Sequence, residues 1–295
     1  MRLVFTTLLA CFSLSAPGQA PRTALTADQL ASIDTFVTGE MQHEHIPGVA
    51  VGVYSRGTIL LAKGYGLANI ELNVPVKSET IFQSGSVGKQ FVSAAIMMLV
   101  EEGKLSIDDS VTKYFPDAPA TWKPILLKNL LSHTSGLSEY ESPEYTKPGG
   151  PFNMRLDYTE DDLVTKIEAL PLENPPGEKW NYRNTNYVLL GILIRRITGM
   201  PYADFLGQRI FKPLGMSSTR LISETDIIPN RASGYEIHDG AAQKSGVGLT
   251  HLQFHCRRHP LLQRPRPRQV GRSPLHDSSS EAIQPRPHLD RLPAQ

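Results

Sequence analysis

Apolar residues recur at helical spacing in three stretches of the chain and run as short extended segments in two others. Leu30, Ile33, Phe36, Val37 and Met41 form one stripe along residues 27–41, which predicts a helix laid on a sheet. Phe91, Val92, Ala95, Ile96, Leu99 and Val100 keep the same period and predict a helix that must be buried. From Asn186 to Thr198 the chain is apolar on most sides, so Leu189, Ile192, Leu193 and Ile197 are expected in the core. Gly199 supplies a stop for that helix, and Pro201 opens the next one at a tolerated first-turn position. Thr159-Glu160-Asp161-Asp162 reads as a capping box whose acids suit a helix N-terminus. Residues 48–54 and 59–65 read as two strands joined through Arg56-Gly57 as a hairpin. Two strands alone are marginal in water, so this hairpin needs further partners.

The chemistry gathers at the mouth of the buried helix. Ser86-Val87-Gly88-Lys89 places a hydroxyl and an amine three residues apart, on one helical face. Burial against the core strips hydration from the ammonium and lowers its proton affinity, so that a neutral Lys89 can take the proton of Ser86. The helix N-terminus adds a favourable potential for negative charge developing on an attacked carbonyl. Such a pattern recurs by chance about once in a chain of this length. Ser110-Val111-Thr112-Lys113 is a second match, set between Asp108-Asp109 and Pro116 with no long apolar helix behind it, and reads as surface. On spacing alone the simpler reading is that Ser86 caps a helix while Lys89 reaches solvent. Taken without Ser86 and Lys89, Tyr182 between Trp180 and Tyr187 reads as a packing residue.

Several separated segments carry a resemblance in the same order. They are Ile46-Pro47-Gly48-Val49-Ala50-Val51, Gly64-Tyr65-Gly66, Phe82-Gln83-Ser84-Gly85-Ser86, Leu131-Ser132-His133-Thr134-Ser135-Gly136-Leu137, Tyr182-Arg183-Asn184 and Lys212-Pro213-Leu214-Gly215-Met216. From about His45 to Met216 the chain resembles the serine beta-lactamase and penicillin-binding protein family, in its branch of class C enzymes, D-alanyl-D-alanine carboxypeptidases and esterases. The resemblance implies that Ser86 is the nucleophile, Lys89 its partner, Tyr182 a second proton-transfer group, and Asn184 a hydrogen-bonding group for the substrate amide or ester. It implies an α/β (α+β) fold, an antiparallel sheet flanked by helices plus a helical subdomain, with the early strands of the sheet joined by strands from the end of the chain. It implies a small-molecule or peptide substrate, a lactam, D-alanyl peptide or ester, and no metal or organic cofactor.

The family's third motif, Lys or His followed by any residue and Gly on a late strand, has no convincing counterpart. His238-Asp239-Gly240 and Lys244-Ser245-Gly246 fit by letters but read as turns among loop residues. From His251 the composition changes: lysine disappears, while arginine and proline crowd in without amphipathic period. A metal site at His251, His255, Cys256 and His259 would lack supporting carboxylates, and a nucleic-acid reading of the arginines lacks stacking aromatics. A shifted reading frame accounts for the change better. Codons allowed for Arg266–Arg272, read one base later, give Asp-Leu-Ala-Lys-Trp-Asp-Ala, similar to a helix usual in the resembled family. The departure is expected near Leu249 to His251, and the C-terminal strands are expected to be missing. The resembled oxyanion hole joins the Ser86 N–H to one from a late strand, so catalysis by this chain is expected to be impaired.

Bulk properties fit an exported enzyme. The 295 residues carry a formal charge of +1, which gives no steering toward polyanions and so no nucleic-acid partner. Met1-Arg2, the apolar run Leu3–Leu14 and the small residues up to Ala20 read as a signal peptide cleaved after Ala20, too short for a transmembrane span. Leu8-Leu9-Ala10-Cys11 leaves a lipoprotein anchor at Cys11 open, and Cys11 and Cys256 offer no useful disulfide. The expected organisation is a signal peptide over 1–20, a partial hydrolase domain over 21–249 and an aberrant Arg/Pro-rich tail over 250–295. His43-Glu44-His45 offers two ligands without a third and reads as an exposed loop, and His133 reads as a turn-fixing residue. A non-catalytic envelope peptide-binding protein and a non-functional frame-shifted product are the rival readings.

Overall fold

The computed structural model describes residues 24–244, apart from 155, 157, 223–225 and 239–240. The expected signal peptide, both cysteines, the frame departure near Leu249, the tail and its histidines lie outside the described residues.

The first helix, α1 (Ala27–His43), starts where Thr26 and Gln29 cap each other reciprocally: the Gln29 N–H donates to Thr26 Oγ1 at 3.2 Å and the Thr26 N–H to Gln29 Oε1 at 3.0 Å. β1 (Gly48–Ser55) then pairs antiparallel with β2 (Thr58–Asn69), with Gly48 opposite Gly66 and Tyr54 opposite Ile59. Arg56 and Gly57 close this hairpin at φ +46° and +78°. A short β3 (Val74–Pro75) joins the other edge of β2, giving the order β1-β2-β3. At Gly64 a Cβ would stand 2.2 Å from the Val76 carbonyl oxygen, so only glycine lets the returning chain cross so closely.

Asp34 ties α1 to β2 by accepting from Lys63 Nζ and from Tyr65 Oη, both at 2.7 Å. The apolar stripe of α1 is nevertheless less covered than its period predicts: none of its residues is buried, and Phe36 is 68% exposed. The described sheet explains this, because three strands, one of them two residues long, are too narrow to roof a helix of nearly five turns.

The packed core lies among the helices. α2 (Lys89–Glu101) contributes Val92, Ala95, Ile96 and Leu99 to it. The short α3 (Leu127–Leu131) adds Leu127 and Leu130; α4 (Pro143–Thr146) follows, and α5 (Glu160–Glu168) adds Val164 and Ile167. The Thr159 hydroxyl caps α5 by accepting from the Asp162 N–H at 3.1 Å. At the centre is α6 (Asn184–Thr198), buried from Thr185 to Ile194, closed by Gly199 at φ +69°. Pro201 caps α7 (Tyr202–Leu206), one position earlier than the sequence implies, and a π-helical turn follows over Gly207–Phe211. Leu193 is fully enclosed, so Leu193→Ala is expected to lower the unfolding free energy by about 2–5 kcal/mol, as measured by urea titration.

Of the two triplets read as turns, only the first residues fall among the described ones: His238 ends β4 (Tyr235–His238), which pairs antiparallel with β5 (Ala241–Lys244), where Lys244 is the last residue. The hairpin is stitched to the end of β2, since the Ile70 N–H donates to Tyr235 Oη at 2.8 Å and Asn69 Nδ2 donates to Ser233 Oγ at 2.9 Å. Tyr235-Glu236-Ile237-His238 alternates apolar with polar for only four residues and Ala241–Lys244 does not alternate, so non-local hydrogen bonds supply what the local pattern does not. The whole is a mixed α/β arrangement of antiparallel sheet and helices.

Candidate active site

Gly85, at φ +53°, turns the chain sharply into a single 3₁₀ turn over Gly85–Gly88, and α2 begins only at Lys89. Ser86 therefore sits on a tighter helix than expected, one in which side chains three apart eclipse each other. Ser86 is exposed while Lys89 is only 7% exposed, and Lys89 Nζ stands 3.4 Å from Ser86 Oγ. The pairing puts the hydroxyl toward solvent and the amine beneath it.

From the opposite side comes the N-terminus of α6, which starts two residues before the apolar period predicts and so takes Asn184 into its first turn. Tyr182 Oη donates to Ser86 Oγ at 2.7 Å, and Lys89 Nζ donates to Asn184 Oδ1 at 3.1 Å. The same ammonium lies 4.8 Å from the centre of the Tyr182 ring and 5.6 Å from that of Tyr187. Ser86, Lys89, Tyr182 and Asn184, drawn from two distant stretches of the chain, thus converge in one cluster.

Burial pushes the Lys89 amine below the usual lysine range; the hydrogen bond to Tyr182 and the charges of Tyr182, Glu139 and Glu141 partly restore it. Glu139 and Glu141 were not legible as site residues. The Asn184 backbone N–H donates to Glu139 Oε2 at 2.5 Å, and Asn184 Nδ2 donates to Glu141 Oε2 at 2.7 Å. The second bond decides which way the amide faces, and it leaves Oδ1 for Lys89. Burial raises the Glu139 carboxyl, against the lowering effect of the Asn184 N–H it accepts. In sequence the only hint is two acids flanking Tyr140, which is itself buried and donates to Glu141 Oε1 at 2.8 Å.

The turn that carries these acids is held by glycine. Gly136 has φ +77°, and a Cβ there would stand 2.0 Å from the Asn174 carbonyl oxygen. His133, just ahead of this turn, has φ +59°. The other Ser-x-x-Lys pair behaves as surface: Lys113 Nζ is bound to Asp109 Oδ2 at 3.0 Å, and Ser110 Oγ donates to the Lys123 carbonyl at 2.8 Å. His43 lies beside Glu44 in an exposed pair, and no group of three potential metal ligands occurs among the described residues.

Comparison with known proteins gives the family. Residues 33–251 match the family described as Beta-lactamase. The chain belongs to the beta-lactamase family. Among its relatives, Protein flp of Staphylococcus aureus (strain MRSA252) is 31% identical over 217 residues, which are 72% of this chain and 42% of that protein. Penicillin-binding protein 4* of Bacillus subtilis (strain 168) is 32% identical over 189 residues, 61% of this chain and 40% of its own length. The octameric penicillin-binding protein homologue from Pyrococcus abyssi superposes with a TM-score of 0.62 at 29% identity, over 73% of this chain and 50% of its own. A class C beta-lactamase structure gives 0.62 at 26% identity, over 75% and 59%. The chain thus spans less than half the length of the curated relatives it matches, and its antiparallel sheet with flanking helices is similar to the class C beta-lactamase fold.

Proposed function

We propose that this member of the beta-lactamase family is a serine hydrolase that forms an acyl-enzyme on Ser86 with an amide, lactam or ester. The observation that carries this reading is a single hydroxyl, Ser86 Oγ, lying 2.7 Å from the Tyr182 phenol and 3.4 Å from the Lys89 amine. Lys89, kept below its ordinary pKa by burial, takes the Ser86 proton as the oxygen attacks the carbonyl. Tyr182 Oη then passes a proton to the departing group, and Asn184 binds the substrate amide or ester while orienting Lys89. Water completes the cycle by releasing the acyl group. No resident metal or organic cofactor takes part, and export through a leader cleaved after Ala20 belongs to the same reading, which mass spectrometry of the mature N-terminus tests.

The test is a pre-steady-state assay of the full chain with a p-nitrophenyl ester, a chromogenic lactam and a D-alanyl peptide. A burst of product equal to the enzyme concentration, followed by slower turnover, is the expected result with at least one of them. No burst with any of the three contradicts it. Acylation by this chain is expected to be impaired, since loss of one oxyanion donor lowers rate on the order of 100- to 1,000-fold.

Tyr182→Phe separates proton transfer from packing. Tyr182 is 38% exposed, so little packing is lost with the hydroxyl. Turnover is expected to fall on the order of 100-fold while the thermal midpoint stays unchanged; equal losses in both would favour a packing role.

A further inference from the structure

His133 lies next to the cluster without touching Ser86, and its environment fixes both its proton and its plane. The Arg183 backbone N–H donates to His133 Nδ1 at 3.2 Å. A backbone N–H has no acceptor form, so Nδ1 must be bare and the neutral ring carries its hydrogen on Nε2. A second donor agrees. The Leu137 N–H donates to Ser135 Oγ at 3.1 Å, that hydroxyl donates to Asn186 Oδ1 at 2.6 Å, and Asn186 Nδ2 is left facing His133 Nδ1 at 3.2 Å. Ser135 and Asn186 are enclosed, so water cannot substitute for a lost partner.

The ring faces are used as well. The imidazole centre is 4.5 Å from that of Tyr182 and 5.1 Å from that of Tyr187, each tilted by 33°. The imidazole therefore packs against the Tyr182 ring, while the Arg183 N–H it holds belongs to the very next residue. The titratable and charged groups around it are Lys89 from α2, and Tyr182, Arg183 and Tyr187 from the α6 side. Burial and Lys89 both hold the imidazole below its usual range.

We propose that His133 is a positioning residue: locked as the neutral Nε2–H form, it pins the Tyr182-Arg183 backbone and walls the Tyr182 ring so that the phenol reaches Ser86. A proton on Nδ1 would face two donors and a neighbouring ammonium, and would release both constraints at once. This rests on the assignment of Tyr182 to proton transfer with Ser86, so the test has one arm that does not depend on turnover.

In that arm, two-bond proton–nitrogen spectra of the ¹⁵N-histidine-labelled full chain report the His133 tautomer from pH 8 to 5. The expected result is an Nε2–H ring that stays neutral below the ordinary histidine value of 6.5; an Nδ1–H form, or protonation at 6.5, overturns the proposal. The variant is His133→Asn, whose short amide tolerates φ +59° and can present an acceptor where Nδ1 stood, but offers no ring. It is expected to keep its thermal midpoint, to shift the Tyr182 ring resonances, and to slow the ester burst about 10- to 100-fold with KM within about twofold. Unchanged Tyr182 resonances, or a lowered midpoint with an unchanged burst, overturn it. Absence of a burst from the unsubstituted chain would instead defeat the nucleophile assignment, with the nitrogen spectra and Tyr182 resonances still deciding the role of His133.

Discussion

Ser86→Ala is expected to remove the burst, lowering the acylation rate roughly 10⁴- to 10⁶-fold, because residues that act as one unit fail together when the nucleophile is lost. Oxygen is the only heavy atom removed, from an exposed side chain on a 3₁₀ turn, so the fold is expected to persist. The matched control is Ser110→Ala, which deletes the hydroxyl of the second Ser-x-x-Lys pair. Its partner Lys113 is engaged with Asp109, and no phenol donates to its hydroxyl among the bonds of the described residues. Ser110→Ala is therefore expected to leave the burst intact. Stopped-flow measurement of both variants decides the matter, and loss of the burst in the Ser110 variant alone would refute the choice of nucleophile.

Lys89→Met is expected to slow acylation roughly 10²- to 10⁴-fold while leaving stability unchanged or higher. The two effects have one origin. An ammonium drawn out of water is disfavoured, so the folded protein binds this proton less tightly than the unfolded chain does. Between the depressed value in the fold and the ordinary 10.5, the unfolded state holds the proton and the folded state does not, so this group's contribution to stability rises with pH across that window. Below the window both states are charged and the full burial penalty is felt. Methionine fills similar space without that penalty. For catalysis the sign is the same: the neutral amine accumulates as pH rises through the depressed value, and the burst should accelerate along that limb. In the Lys89→Met variant the limb should vanish, as a stopped-flow pH series would show.

Much of this site was legible in the residues themselves. The apolar period from Phe91 to Val100 fixed α2 and hence the burial of Lys89, and the segment Tyr182-Arg183-Asn184 stood just ahead of an evident helix. What stayed hidden was non-local. That Ser86 lies on a 3₁₀ turn follows from Gly85 at positive φ, which many loop glycines would also allow. That Glu141 orients Asn184 depends on two segments forty-three residues apart meeting. β4 and β5 are set by pairing and by the stitches to Asn69 and Ile70, because the alternation of Tyr235–His238 is only four residues long and Ala241–Lys244 has none. The stripe of α1 predicts the helix but not its cover, because period reports which face is apolar and not what stands opposite it.

The most direct test is the site of the covalent adduct. The full chain is quenched in acid during the burst with an ester that leaves a stable acyl group, digested, and mapped by tandem mass spectrometry. One acyl group per chain on the peptide containing Ser86, with the mass on Ser86 itself, is the predicted result. An unmodified Ser86 beside acylation elsewhere, at Ser110 or on a lysine, would contradict the account.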